Sequence, residues 1–401
     1  MRERIEATAL SNASAGISAR SRAGSILASV SALMLLLSTG SPAAIPRASG
    51  HPAQVGPATY CADQNAVFKD RHPFVGITDA GVAFSNSRLR GCSFGRMAAD
   101  HIGYFRFLLG WPQVESVRGR YSFEFYDQLI TQLAQHHLRF LPVLFGSPRW
   151  ASSAPSGATD VAGYPPVQPI QFAQFAAVCV QRYGPDGTFW RAHPELPYYP
   201  IRVWQIWNEP NLIAYWRPTP NARAYVRLLR DSYRAIKRVA RHTIVVTAGM
   251  PALSATEESR WLTALYRAGL RGNFDALAIH LYGPTPSWAL NRMKAARQIM
   301  DQFGDRRKPL WVTEVGWAGG PPDPYLASQH GQRVQMFRFL RLVAKNRARL
   351  GLGELIWYDW QDYVYGPDPS WWGYHLGLYT TNLRPKPALA VLAAAAKRLD
   401  R

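Results

Sequence analysis

Acidic residues are scarce in this chain. Its 401 residues hold 26 Asp and Glu against 46 Lys and Arg, a formal charge of +20. Such a surface attracts polyanions: acidic polysaccharide, teichoic acid, anionic lipid or nucleic acid. The basic residues are nearly all Arg, however, and they form no dense block. No aromatic-basic motif of a nucleic-acid module is visible, so no specific nucleic-acid partner is expected. Cysteine is scarcer still, with three residues at 61, 92 and 179. That number excludes a disulfide-dense scaffold, and the spacing fits no metal site. His, Cys and carboxylates do not cluster at ligand spacing, so neither metal nor other cofactor is expected. Long apolar runs are absent as well. The run Ile26–Leu37 is too short to span a bilayer comfortably. It follows basic residues that end at Arg22 and precedes small residues at Ser41–Ala44, the pattern of an export signal. Residues 1–44 are therefore read as a signal peptide of a secreted or extracytoplasmic protein, with an uncleaved anchor as the alternative. Export would permit a disulfide, and Cys61 with Cys92 is the expected pair. Cys179 lies in an apolar helical row and is expected to be a buried thiol.

What is plentiful is aromatic surface and alternating structure. The chain has 14 Trp and 19 Tyr, rings that stack on sugars as readily as they fill cores. After a Pro/Gly/Ala-rich lead over 45–72, eight β-branched or aromatic runs follow. They are Phe74–Thr78, Ile102–Leu109, Leu138–Phe145, Ile201–Trp207, Thr243–Ala248, Phe274–Leu281, Pro309–Val315 and Glu354–Tyr358. Stretches with apolar residues at three-and-four spacing separate them, at Phe125–His136, Pro169–Tyr183, Ala222–Ala240, Glu257–Ala268, Trp288–Phe303, Gln329–Leu350 and Ala388–Leu399. Arg90–His101 is a weaker helix in the first interval. Eightfold strand–helix alternation implies a parallel sheet with helices outside. The fold class is thus α/β, a single (β/α)8 TIM barrel over 73–401, with a doubly wound open sheet as runner-up. No G-x-G-x-x-G or G-x-x-x-x-G-K-[ST] follows an early strand, which counts against nucleotide binding. Long inserts at Ser147–Pro169, Gly319–Ser328 and Gly366–Gly377 follow strands three, seven and eight, and would rise from the catalytic face.

Two motifs carry chemistry. In Trp204–Asn211 (WQIWNEPN) the Pro ends the fourth strand and leaves Glu209 at its carboxyl end. In Leu310–Trp317 (LWVTEVGW), strict alternation would put Leu310, Val312 and Glu314 on one inward face. Two opposed Glu are what acetal hydrolysis needs. One protonates the departing oxygen, and the other attacks the anomeric carbon or activates water to do so.

These motifs resemble the acid/base and nucleophile motifs of clan A retaining glycoside hydrolases. The nearer likeness is to glycoside hydrolase family 39 and family 5-like glycosidases. Arg106–Glu115, Gly119–Phe123 and Tyr126–Ile130 resemble the second-strand region of those families, and Gly377–Thr380 their last unit. The resemblance implies hydrolysis of β-linked O-glycosidic bonds in an oligo- or polysaccharide by retaining double displacement; the basic surface favours an acidic polymer, and a monomer is expected. It implies Glu209 as acid/base and Glu314 as nucleophile. Asn208 would bond the sugar 2-hydroxyl, and Tyr282 would donate to Glu314. Arg106 would lower the pKa of Glu314, His280 would line the pocket, and Trp357 would floor the subsite. Glu115 is expected to brace a loop. Asp359 and Asp362 are competing carboxylates that could contact substrate further out, and Trp150, Trp317, Trp371 and Trp372 are candidate sugar platforms. The competing functions are a non-catalytic carbohydrate-binding or cell-wall-associated barrel, and charge-driven binding to nucleic acid or a membrane surface.

Overall fold

In a computed structural model, the structure describes residues 58–70, 72–251, 254–320, 328–363 and 371–400. The expected signal in 1–44 and most of the lead lie outside them, as do parts of the inserts after strands seven and eight.

Eight parallel strands form one sheet: β1 Val75–Thr78, β2 Tyr104–Gly110, β3 Arg139–Phe145, β4 Val203–Ile206, β5 Ile244–Val246, β6 Leu277–Leu281, β7 Leu310–Val315 and β8 Leu352–Tyr358. Each expected run contains or overlaps one of them. The hydrogen-bonded order is β5-β4-β3-β2-β1-β8-β7-β6. The remaining seam is closed by individual bonds. Asp275 N donates to Val245 O at 2.8 Å and Thr247 N to Ala276 O at 3.0 Å. The Thr247 hydroxyl accepts from Ala278 N at 2.9 Å, where a strand carbonyl would otherwise serve. Strands buried on both faces read as nearly continuous apolar runs, and β2, β6 and β7 are buried at every position.

The principal helices between and after the strands are α1 Ser87–Ala99, α2 Glu124–Gln135, α3 Pro169–Tyr183, α4 Ala222–Val239, α5 Ala255–Arg267, α6 Pro286–Gln302, α7 Gln329–Leu350 and α8 Pro387–Leu399. Their starts are written in the sequence. Asn86, Asn221, Ser254, Thr285 and Ser328 each cap the helix that follows with a side-chain acceptor. Pro occupies the first turn of α3, α6 and α8, where its missing N–H costs nothing. Among the described residues, no helix is long and apolar enough to cross a membrane.

The core has two layers. Tyr104, Leu141, Val203, Val246, Ala276, Ala278, Trp311 and Ile356 fill the barrel itself, and the larger cluster lies between sheet and helices. Cys61 and Cys92 are disulfide-bonded, tying the turn Ala58–Cys61 to α1. Cys179 is a buried free thiol. Beside the disulfide, the Tyr60 hydroxyl meets Ser93 Oγ at 2.7 Å and accepts from Trp360 Nε1 at 2.8 Å.

Strict alternation on β7 does not hold. Trp311 points into the barrel, while Leu310 and Val312 belong to the outer layer. Beside β6, Ile279 pairs with Val312 but His280 pairs with Glu314, so Thr313 is an extra residue on β7. This irregularity resets the pattern. Thr313 bonds Gln205 across the barrel, and Glu314 also turns inward. Glu314 faces the interior because of the extra residue, not because it shares a face with Leu310 and Val312.

Candidate active site

The polar end of the barrel is built around one guanidinium. Arg106, on β2, is buried and gives three hydrogen bonds: Nε to Gln205 Oε1 at 2.8 Å, one terminal nitrogen to Glu314 Oε1 at 2.7 Å, the other to Asn208 Oδ1 at 2.9 Å. Gln205 is itself held by Thr247 O at 3.0 Å. A planar fork with every donor directed cannot turn without losing several charge-assisted bonds.

Glu314 takes its second bond from the Tyr282 hydroxyl, at 2.6 Å to Oε2. Glu209 meets His280 Nδ1 at 2.7 Å, and the same nitrogen lies 3.5 Å from Glu314. An oxygen of each Glu and a nitrogen of His280 lie within 4.8 Å of one another. Glu209 and Glu314 are only 3% and 2% exposed.

Backbone geometry aims Glu209. The chain leaves β4 through Trp207 at φ 71° and Glu209 at φ 42°, both in the region that L-residues visit rarely. Three bonds hold this turn: Glu209 N to Gly249 O at 3.0 Å, Leu212 N to Glu209 O at 2.9 Å and Trp207 Nε1 to Tyr215 O at 2.8 Å. Gly249 is required for space. A Cβ there would stand 1.9 Å from His280 Nε2.

The two carboxyls have unequal surroundings. Burial raises Glu209 well above its ordinary value, and the negative charge of Glu314 adds to this, with Arg106 opposing. Burial also raises Glu314, but Arg106 and the Tyr282 hydroxyl both pull it back. The expected lowering of Glu314 by Arg106 is present, but burial outweighs it. The inequality still assigns the proton to Glu209 and the charge to Glu314. Burial and the charge of Arg106 drive His280 well below its ordinary value, so its ring is neutral. The Glu209–His280–Glu314 cluster is metal-like in shape, and sequence spacing conceals it. Arg106 already supplies its positive charge at 2.7 Å from Glu314.

Six of the seven expected site residues converge here: Glu209, Glu314, Asn208, Arg106, His280 and Tyr282. Trp357 does not. It packs in the outer layer, between sheet and helices, against Trp317 at 6.1 Å. Its neighbour Tyr358 reaches the site instead, edge-on to Tyr282 at 6.1 Å. The flanking acids are structural. Glu115 accepts from Trp111 Nε1 at 2.7 Å and Gly119 N at 2.8 Å, bracing its loop. Asp362 pairs with Lys386 at 2.6 Å, and Asp359 shares a hydrogen bond with Asp79. Neither Asp is free for an outer subsite. Of the loop tryptophans, Trp317 and Trp372 are buried, the latter 5.7 Å from Tyr282, while Trp150 and Trp371 keep partial exposure. Gln205, Gly249 and Tyr358 also serve the site; Gln205 lies inside the WQIWNEPN motif, which assigns it no role, and no motif marks the other two. The signal for Gln205 is a polar residue inside an otherwise apolar strand.

Residues 201–345 match the family model described as the glycosyl hydrolase catalytic core. The matched stretch contains both Glu and His280 between them. The fold is a (β/α)8 barrel, and the matched stretch with its paired carboxyls resembles the glycoside hydrolase class. Within that class the resemblance is to clan A enzymes of families 39 and 5. A family 39 glycoside hydrolase from the gut symbiont Bacteroides cellulosilyticus has a similar structure, with TM-score 0.62, 19% identity, and coverage of 84% of this chain and 65% of that one. This chain therefore spans less than two thirds of that relative's length. A monomeric beta-xylosidase from Caulobacter crescentus matches with TM-score 0.62 and 16% identity, over 82% of this chain and 69% of that one. An exo-beta-1,4-mannosidase from an Opitutaceae bacterium matches with TM-score 0.59 and 16% identity, over 84% and 62% respectively. No curated protein matches in sequence.

Proposed function

We propose that this protein hydrolyses β-linked O-glycosidic bonds in an oligo- or polysaccharide by retaining double displacement. The observation that carries the reading is the pair of buried carboxyls, with oxygens within 4.8 Å of one another and unequal surroundings. Retaining enzymes hold their carboxyls about 5–5.5 Å apart, and inverting enzymes about 6.5–9.5 Å apart. In the first step, Glu209 gives its proton to the glycosidic oxygen, the C–O bond breaks, and Glu314 bonds the anomeric carbon. The aglycone leaves as an alcohol. Esterified Glu314 carries no charge, so the pKa of Glu209 falls and its carboxylate can take a proton from water. The hydroxyl then displaces Glu314 with overall retention. In this reading Asn208, fixed by Arg106, bonds the sugar 2-hydroxyl. We further propose that the protein acts as a monomer outside the cytoplasm, a reading supported by the N-terminal sequence and compatible with its disulfide.

The test is a panel of aryl glycosides with the first-formed anomer read by NMR. The β-anomer is expected, and first-formed α-anomer from a β-glycoside sinks the mechanism. Glu314→Ala should lose at least about 10⁴-fold in kcat/KM, since the nucleophile is gone. Glu209→Ala should keep its first step only on good leaving groups, such as dinitrophenolate. Full turnover by Glu314→Ala would overturn the assignment.

A further inference from the structure

The opposite end of the barrel holds a cavity of about 550 Å³. That volume lies within the roughly 300–1,000 Å³ of small-molecule sites. Its wall includes the first residues of β2, β3 and β4, namely Tyr104, Arg139 and Val203, together with Lys69, Asp70, Tyr198, Tyr199 and Arg202. Barrel chemistry is done at the other face, so the catalytic reading assigns this cavity nothing.

Its lining is selective in charge. Lys69, Arg139 and Arg202 bring basic side chains to it, and His72 and His137 stand beside them. Asp70 is the one carboxylate in the lining among the described residues, and it is engaged by His101 Nδ1 at 3.1 Å. Arg139 is shared with structure: it lies by the Tyr104 ring, and its charge opposes burial at Glu354. Lys69 and Arg202 are exposed and make no ion pair among the described residues. Two surplus charges therefore face the opening.

The aromatic part is held in place. The Tyr199 ring lies parallel to His137, with centroids 4.9 Å apart and an 11° interplanar angle. Tyr198 accepts from Asp186 N at 3.0 Å through its hydroxyl and packs edge-on to Trp190, yet remains 53% exposed. Fixed rings beside unpaired cations suit a ligand with apolar ring faces and negative groups at its edge.

We propose that this cavity is a non-catalytic site for acidic sugar units, holding an anionic polysaccharide at the barrel end away from the active site. A compact cavity favours a few sugar residues over a nucleic-acid duplex, whose uniform backbone is met by long basic grooves. Only the choice of a glycan rests on the proposed function.

The experiment uses the full chain carrying Glu314→Ala, so that polymer is not consumed, and measures binding to polygalacturonate, neutral xylan and duplex DNA by calorimetry. Lys69→Gln with Arg202→Gln should weaken polygalacturonate binding about tenfold or more, a loss of about 1.4 kcal/mol or greater. Tyr199→Ala should weaken it as well, with xylan binding unchanged and melting temperatures preserved. Neutralising two exposed cations of α4, Arg223→Gln with Arg227→Gln, should have an effect within about twofold. Galacturonate should compete, and inorganic phosphate at equal ionic strength should not. Equal loss in the α4 pair would reduce the effect to diffuse charge and overturn the site. Equal competition by phosphate, or DNA binding lost in parallel, would overturn the sugar assignment. In the wild-type background these variants should hydrolyse a small aryl glycoside at the unaltered rate. A chain that binds polygalacturonate here but hydrolyses no glycoside would sink the catalytic reading alone.

Discussion

Arg106 touches Glu314, Asn208 and Gln205 at once, so its removal should read out in the pH dependence. In the proposed mechanism, the acid limb of kcat/KM reports ionisation of Glu314 and the alkaline limb loss of the Glu209 proton. Arg106 lowers both pKa values. Arg106→Met should therefore move both limbs to higher pH. On the acid side, the rate at a fixed pH should fall about tenfold for every pH unit that the limb moves. Unmoved limbs would show that Arg106 only positions. Gly249 offers a steric test. Gly249→Ala places a methyl where His280 stands, so the ring must leave Glu209 or the turn at Glu209 must shift. We expect kcat to fall at least about tenfold, with an overpacking cost of roughly 1–3 kcal/mol in thermal unfolding. Unchanged kcat would mean that His280 does not hold Glu209. Residue identity alone can suggest Glu209 and Glu314, because few roles suit a carboxyl at a strand end in these flanks. It cannot suggest Gly249, whose importance arises from a side chain distant in sequence, at His280.

At the scale of elements, alternating apolar runs are sufficient to find all eight strands, since parallel strands are buried on both faces. Side-chain direction is less legible. The extra residue at Thr313 is invisible in the composition of β7, and it decides which residues enter the barrel. The same problem displaces Trp357: Ile356 faces the interior, so Trp357 faces the helices and Tyr358 meets Tyr282. A second element-level feature lies where α5 meets α6. Glu258 is buried, and its nearest cation is Arg292 at 3.8 Å. Burial pushes its carboxyl up to about 7, with Arg292 pulling the other way. An unfolded chain releases this proton near 4.5. Between those values the native state binds more protons, so stability falls as pH rises through the window. Glu258→Gln should leave the melting temperature nearly unchanged at pH 4. It should raise it by several degrees at pH 8, for a gain on the order of 2–3 kcal/mol. A variant equally stable, or less so, at pH 8 would contradict this.

For the whole molecule, the disulfide is the principal covalent constraint. Cys61 and Cys92 are 31 residues apart, a loop whose closure is worth about 3–4 kcal/mol in the chain-entropy model. Cys61→Ser with Cys92→Ser should lower the melting temperature measurably, and reductant should affect only the wild type. An unchanged melting temperature would show the bond to be dispensable. Its pairing is legible because Cys179 reads as a helix-core residue. The closure of the β5–β6 seam through the Thr247 hydroxyl is not, because a short strand completed by a side-chain oxygen leaves no periodic trace.

The three ionic partners at the centre have one more consequence. With one proton on Glu209, the negative Glu314 and the positive Arg106 cancel, and neutral His280 adds nothing. In the proposed first step, Glu209 becomes an anion as the sugar ring becomes a cation; once the ring is esterified, Glu209 and Arg106 balance alone. The pocket is thus electroneutral at every stage, and no net charge is ever stranded in a medium too dry to solvate it.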